Sequence, residues 1–404
     1  MTPTKLKYLF KFYKRSASAT LLVMFIVIAG ITLLISDQAF ASFTAVNPAT
    51  EAIASSATYQ YDINTENEQT STNSSSFYNG KLLSVQATTS ELSALETLNA
   101  NSVRSEFQLN SDGTAFNNYV EYDGTSTSQW LDQMTSGHIE PVPLLNTYVN
   151  ITPGSNIYIN PTIWANAVVN WCKQYCSGGT FYQNNPSANS YYGPHILEML
   201  NEPYGTWFRN GAVPAQGYAD MLIATRTALD KAGMSDISIL GAAGNAGDST
   251  NYWTTAVAAD GGYAAVQGLA VHPYSTGNIT LPGQDIAEDG WNTIYYYHQL
   301  YNMDIYVTEV GWCSESTIDN SPCQGRNQPE ADKDADITDA INQLATVPWI
   351  KDFDYFDMAD QSACTVQNSG PCINENFSYG LYLSNGSATP AFYAYEAAAK
   401  TNGF

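Results

Sequence analysis

The sequence predicts an α/β protein whose one large domain is a (β/α)8 barrel, a single TIM barrel preceded by a signal or anchor segment and a polar linker. Three observations predict it. From about residue 80, short apolar runs alternate with helical stretches eight times, the pattern of βα units around a parallel sheet. No second break in composition divides residues 80–404. No Gly-x-Gly-x-x-Gly follows the first strand, which argues against an open dinucleotide-binding sheet.

The first strand is expected near Leu82–Ala87, and Thr88-x-x-Glu91 is a capping box for a helix over Ser90–Ala100. Leu92, Leu95 and Leu98 give that helix an apolar face. The second strand is expected at Ser102–Leu109, and the third near Pro141–Tyr148 after a helix around Ser128–Thr135. Helix Thr162–Gln174 leads to strand Ile196–Glu202, and helix Gln216–Ala232 to strand Ile237–Ala242. Helix Tyr252–Ala259 leads to strand Val266–His272, and helix Ile286–Tyr301 to strand Asp304–Glu309. Helix Ala331–Ala345 leads to strand Phe353–Ala359, and helix Ala391–Lys400 closes the domain.

The N-terminus reads differently. Lys5, Lys7, Lys11, Lys14 and Arg15 precede an apolar run over residues 19–35, and Ala39-Phe40-Ala41 follows as a small-x-small cleavage pattern. Residues 1–41 are therefore expected to be a secretion signal or a retained membrane anchor, and either places the rest extracellular or at the cell surface. Residues 42–79, rich in Ser, Thr and Asn, read as a linker.

Charged residues make up only 13% of the chain, against roughly 25% in ordinary globular proteins. Beyond residue 41 there remain ten basic and 37 acidic side chains. Such a domain repels nucleic acid and anionic lipid and suits an uncharged partner such as a neutral polysaccharide or oligosaccharide. The excess of carboxylates would also suit acidic surroundings. The six cysteines fall in close pairs, so the simplest of the possible connectivities is Cys172–Cys176, Cys313–Cys323 and Cys364–Cys372. The four histidines lie far apart without ligand spacing, so no metal and no cofactor is expected. A monomer is expected.

Chemistry in such a barrel sits where strands end. Two of the expected strands end in glutamate, Glu202 after Ile196-Leu197-Glu198-Met199-Leu200-Asn201 and Glu309 after Ile305-Tyr306-Val307-Thr308. Glycoside hydrolysis needs two carboxyl groups across one bond, one to protonate the leaving oxygen and one to meet the developing oxocarbenium ion. The fourth and seventh strands face each other across the mouth. Glu198 shares the parity of Glu202 and is expected to point into the barrel as a buried hydrogen bonder.

Asn201-Glu202-Pro203 after an apolar strand, followed by Thr308-Glu309-Val310-Gly311-Trp312, resembles the clan A retaining glycoside hydrolases with catalytic glutamates on strands four and seven. Glu198-Met199-Leu200-Asn201-Glu202-Pro203 is similar to the Glu-x-x-Asn-Glu-Pro of many members, and the likeness to families 5 and 39 extends to Gly380-Leu381 and Pro390-Ala391-Phe392-Tyr393. The resemblance implies Glu202 as acid/base, Glu309 as nucleophile and Asn201 as partner of the sugar 2-hydroxyl. It implies that His272 and Tyr274, in Val271-His272-Pro273-Tyr274, and Arg104, on the second strand, support the nucleophile. Many members carry a tryptophan at the tip of strand eight; this chain has Asp354-Tyr355-Phe356-Asp357-Met358. Tyr355 or Phe356 replaces it, or Trp312 supplies the sugar platform. Tyr148, Tyr204, Trp207 and Trp312 are the aromatic subsite candidates.

The function expected is a retaining endo-β-glucanase. A transglycosylase, a β-mannanase or xylanase, and a non-catalytic sugar-binding barrel are the alternatives. The absence of Gly-x-Ser-x-Gly argues against a serine hydrolase.

Overall fold

The computed structural model describes residues 81–85, 92–120, 124–147, 160–205, 212–246, 250–274, 290–312, 329–356, 358, 379–383 and 386–404. The chain divides into two compact units, Met1–Ala57 and Thr58–Phe404, and the first lies outside the described residues. The expected signal or anchor at 1–41, the linker at 42–79 and the capping box at Thr88 also lie outside them. Among the described residues no helix is long and apolar enough to cross a membrane.

Eight parallel strands close into a barrel in the order β1-β2-β3-β4-β5-β6-β7-β8. They are β1 Leu82–Val85, β2 Ser102–Gln108, β3 Glu140–Asn146, β4 Ile196–Met199, β5 Ser238–Ala243, β6 Gly268–Val271, β7 Asp304–Val310 and β8 Ile350–Tyr355. The intervening and closing helices are α1 Leu92–Leu98, α2 Thr127–Ser136, α3 Pro161–Tyr175, α4 Thr180–Asn184, α5 Ala215–Lys231, α6 Thr250–Ala259, α7 Asn292–Tyr301, α8 Glu330–Thr346 and α9 Pro390–Asn402. Short 3-10 turns at Ser190–Tyr192 and Gly262–Ala265 complete the described elements. The barrel expected from the sequence is thus the barrel observed.

Local signals set the helix starts. The Ser126 side chain accepts from the Gln129 N–H while Gln129 reaches back to Ser126, a capping box that begins α2. Asn160 caps α3, with Pro161 in the first helical turn. Gly403, with φ of 81°, ends α9 in the left-handed region.

Two apolar layers hold the barrel. Outside the sheet, Trp130, Phe107 and Trp171 pack α2 and α3 against β2, and Trp291, Trp312, Phe353 and Tyr355 pack beside β7 and β8. Inside it, Leu82, Val142, Ile196, Leu240, Ala270 and Tyr306 form one layer, a residue from each of six strands. The rest of the lumen is unusually polar: Ser84, Ser102, Arg104, Glu106, Glu140, Glu198, Asp352 and Asp354 are all buried on the inward-facing parity. Those polar residues explain why β8 begins at Ile350 and not at Phe353, because the alternating Lys351, Asp352 and Asp354 hide the start of the strand from an apolar reading.

Tyr218 of α5 ties the tips of two strands together. Its hydroxyl donates to the Met199 carbonyl at 2.7 Å and accepts from the Ala242 N–H at 2.8 Å. Tyr218→Phe leaves both backbone groups buried without that partner and is expected to cost about 1–3 kcal/mol, measured by denaturant unfolding.

The Cys172–Cys176 disulfide is formed at the end of α3. Cys313, Cys323, Cys364 and Cys372 lie outside the described residues.

Candidate active site

The tip of β4 is bent by its backbone. β4 ends at Met199, short of the expected Glu202, because Leu200 and Glu202 take φ of 65° and 44°. A leucine and a glutamate in the left-handed region are strained, by about 1–3 kcal/mol each. The Leu200 N–H donates to the Leu145 carbonyl at 2.9 Å, and the Leu200 side chain is fully buried, so packing enforces the bend. It delivers Asn201 and Glu202 to the mouth of the barrel.

Glu309 reaches the mouth by another route. Along β7, Thr308 faces the lumen and donates to Glu198 Oε1 at 3.1 Å. Strict alternation would then turn Glu309 outward. The pairing of β7 with β8 shifts register between Val307 and Val310, and this irregularity lets Glu309 face the site as well.

Arg104 joins the two tips. Its Nε and Nη2 donate to Glu198 at 2.6 and 3.2 Å, its Nη1 to Glu309 Oε2 at 2.9 Å and its Nη2 also to Asn201 Oδ1 at 2.9 Å. One planar guanidinium therefore fixes the nucleophile candidate, the Asn201 amide and a buried carboxylate together. The second oxygen of Glu309 accepts the Tyr274 hydroxyl at 2.9 Å. His272 lies between carboxylates, with Nδ1 at 3.0 Å from Glu202 Oε1 and Nε2 at 3.5 Å from Glu198 Oε1. The Tyr204 hydroxyl approaches Glu202 Oε1 at 3.5 Å. Glu202 and Glu309 keep 19% and 16% of their side-chain surface exposed, while the Arg104 side chain keeps 4%.

The electrostatics follow from this packing. Burial works to raise the Glu198 carboxyl, but the Arg104 charge and the His272 hydrogen bond outweigh it and leave Glu198 at about 2. Burial works to lower His272, yet the charge of Glu309 and the hydrogen bonds of Glu198 and Glu202 hold it up at about 10. The surrounding carboxylates thus hold the His272 ring toward its protonated form, with Nδ1 facing Glu202. Burial and then the charge of Glu309 push the Tyr274 phenol well above its usual range, so it stays a donor. Arg104→Ala removes both charge-assisted hydrogen bonds that Arg104 makes to the buried Glu198, and a loss of about 3–5 kcal/mol in chemical denaturation is expected.

Of the residues expected from the sequence, Arg104, Asn201, Glu202, His272, Tyr274 and Glu309 converge. Trp312 does not: it is 1% exposed and stacks between Trp291, Phe353 and Tyr355 outside the sheet, so it cannot be a sugar platform. The polypeptide after Glu309 turns Trp312 into the core. Tyr204 is likewise buried, with its hydroxyl on Glu202 and its ring edge-on to Trp253, which makes it a neighbour of the acid/base candidate and not an open platform. At the tip of β8, Tyr355 is buried and Phe356 is half-buried. Tyr148 and Trp207 lie outside the described residues.

The structure adds residues that the sequence reading passed over. Asn146, at the tip of β3, donates to Glu106 Oε1 at 2.6 Å and accepts the Asn201 N–H at 3.5 Å. It shares the parity of Val142 and Leu144, which was the available signal. Tyr379 packs against Tyr274 and Phe356. Among the described residues, Glu202, His272 and Glu309 each offer a ligand-type atom, all within 4.8 Å of one another.

No protein-family model matches the chain, and no curated protein is similar to it in sequence. Solved structures share its fold. A glucosidase from Croceicoccus marinus matches with a TM-score of 0.52 at 13% identity, over 77% of this chain and 63% of that one. The GH5_18 protein of Bifidobacterium longum subsp. infantis matches with 0.51 at 12% identity, over 80% and 79%. An endo-laminarinase from Formosa Hel1_33_131 matches with 0.50 at 15% identity, over 80% and 88%. At these identities the likeness establishes the (β/α)8 barrel, in agreement with the closed eight-strand sheet.

Proposed function

We propose that this protein is a retaining glycoside hydrolase that cleaves β-glycosidic bonds in a neutral polysaccharide, with Glu309 as nucleophile and Glu202 as acid/base. The observation that carries the proposal is the spacing of the two glutamates: an oxygen of each lies within 4.8 Å of the other. Retaining enzymes hold their carboxyl groups about 5–5.5 Å apart, whereas inverting ones leave about 6.5–9.5 Å for a water.

The chemistry then distributes itself by environment. Arg104 and Tyr274 donate one to each oxygen of Glu309, which holds it in place and orients it toward the anomeric carbon. Glu202, whose Oε1 lies 3.0 Å from His272 Nδ1, protonates the leaving oxygen as general acid and then takes a proton from the attacking water as general base. Asn201, its amide oxygen fixed by Arg104, is placed to bond the sugar 2-hydroxyl. Phe356 offers its ring to the apolar C–H face of the sugar. The cations Arg104 and His272 are engaged by Glu198, Glu309 and Glu202, which favours a neutral sugar over a uronic acid.

The substrate proposed is a β-glucan attacked outside the cell, because a basic stretch and an apolar run open the chain and the domain beyond them is strongly acidic. The test is a panel of β-glucan, mannan and xylan with the product anomer followed by NMR. Hydrolysis with retention, and labelling of Glu309 by a 2-fluoro glycoside, is the expected result. Inverted product, or a label on another residue, overturns the assignment.

A further inference from the structure

The Tyr274 hydroxyl on Glu309 is only as well placed as the Tyr274 ring, and the structure shows what the ring rests on. Its peptide abuts Gly290, where a Cβ would stand 2.2 Å from the Tyr274 carbonyl oxygen. Its ring meets Tyr379 edge-on, with centroids 6.1 Å apart and planes at 74°. Tyr379 in turn meets Phe356 at 5.9 Å and 66°. A Cβ on Gly311, two residues after the nucleophile, would stand 2.9 Å from the Tyr379 ring and 2.1 Å from the Phe356 carbonyl oxygen. Tyr379 is thus wedged between the strand that carries Glu309 and the tyrosine that holds it.

The backbone behind Tyr379 is fastened by three side chains. The Tyr355 hydroxyl donates to the Tyr379 carbonyl at 2.7 Å, the Lys333 ammonium to the Gly380 carbonyl at 3.1 Å and the Thr389 hydroxyl to the Leu381 carbonyl at 2.9 Å. Lys333 is 1% exposed. A buried ammonium is costly unless hydrogen bonds compensate, and the Gly380 carbonyl supplies one of them, which ties Lys333 to this segment.

We propose that Tyr379 is a positioning residue for the nucleophile: its ring, held by Lys333 through the Gly380 carbonyl, backs Tyr274 and keeps the Tyr274 hydroxyl on Glu309. The proposal rests on the glycoside hydrolase reading for its kinetic consequence, though not for the contact itself. A small displacement of an oriented group costs orders of magnitude in rate.

Tyr379→Leu is expected to lower kcat by about 10–100-fold with KM changed by less than about threefold, and Tyr379→Phe, which keeps the ring, to stay within about twofold of wild type. In a Tyr274→Phe background the same Tyr379→Leu change should cost less than about threefold, because the contact it supports is already gone. An equal cost in both backgrounds, or a loss confined to KM, overturns the proposal. A crystal structure of Tyr379→Leu supplies a readout independent of turnover. A Tyr274–Glu309 distance beyond about 3.5 Å supports the positioning role, even if the wild type hydrolyses no polysaccharide and the hydrolase reading falls. A distance unchanged from 2.9 Å overturns it.

Discussion

Glu309→Ala is expected to reduce hydrolysis by at least about 10⁴-fold while leaving the protein folded, because the residue supplies the bond-forming atom and its loss cannot be offset by positioning alone. The alanine also leaves a space beside Arg104 and Tyr274, two donors that remain aimed at an anion. Added azide should enter that space, restore part of the rate with an activated glycoside, and give the glycosyl azide of inverted configuration. Glu202→Gln should behave differently: it should lose about 10²–10⁴-fold on polysaccharide but much less on substrates whose leaving group needs no proton. A Glu309→Ala protein with wild-type turnover, or azide rescue confined to Glu202 variants, would remove or reverse the roles assigned to the two carboxylates. Both rates are read by reducing-sugar release and by chromophore release.

Folding stability is expected to peak in the mildly acidic range and to decline toward pH 7, which thermal unfolding across that range would measure. The cause is the carboxylate-rich lumen. Burial, then the neighbouring Asp352, pushes Glu140 up to about 8. Burial, then Glu198, raises Asp352 well above its usual range; burial, then Asp352, does the same to Asp354. Neither Asp354 oxygen has a hydrogen-bond partner among the described residues, and the His195 ring 3.8 Å from Glu140 is no counter-ion, since burial lowers it to about 4. A carboxyl whose folded pKa is raised keeps its full contribution below its unfolded value and loses it as pH rises toward the folded value. Glu140 therefore costs stability between about 4.5 and 8, and the aspartates from about 3.8 upward. His272 adds to the decline between 6.5 and about 10, being raised in the folded state.

Glu198, His195 and Lys81 act the other way. Glu198, depressed to about 2, gives stability that is lost as pH falls from 4.5 through 2 and so sets the acid limit. His195 makes stability rise with pH between about 4 and 6.5, and Lys81, lowered by burial to about 7, does so between 7 and 10.5. Each offsets one proton of the decline, leaving the aspartates and Glu140 or His272 in excess. Asp354→Asn, which mimics the protonated acid, should flatten the slope by close to one proton. A stability maximum at neutral pH, or an Asp354→Asn slope equal to wild type, would contradict this account.

How much of this was legible in the sequence differs from residue to residue. Eight βα alternations are a local signal repeated along the chain, and they fixed the architecture before any contact was known. Asn201-Glu202 and Glu309 were legible because each follows an apolar strand and a strand tip is a functional position. The place of Trp312 is not legible in the sequence, because an aromatic side chain says nothing about which side of the sheet it faces and the turn after Glu309 sends it into the helix layer. The start of β8 was missed because its lumen-facing residues are aspartates. Tyr379 carried no motif of its own and became visible only through the rings on either side of it.

The sequence by itself determined the barrel and named both glutamates, since period and apolar pattern are written in neighbouring residues. Only the tertiary structure decided how they meet. The left-handed bend at Leu200 and Glu202 and the register shift in β7 carry the two carboxylates to within 4.8 Å. Arg104, more than ninety positions away from each motif it serves, then bonds Glu309 and Asn201 with one guanidinium. Distances between residues remote in the chain depend on how strands close and where pairing slips, and those are properties of the packed sheet.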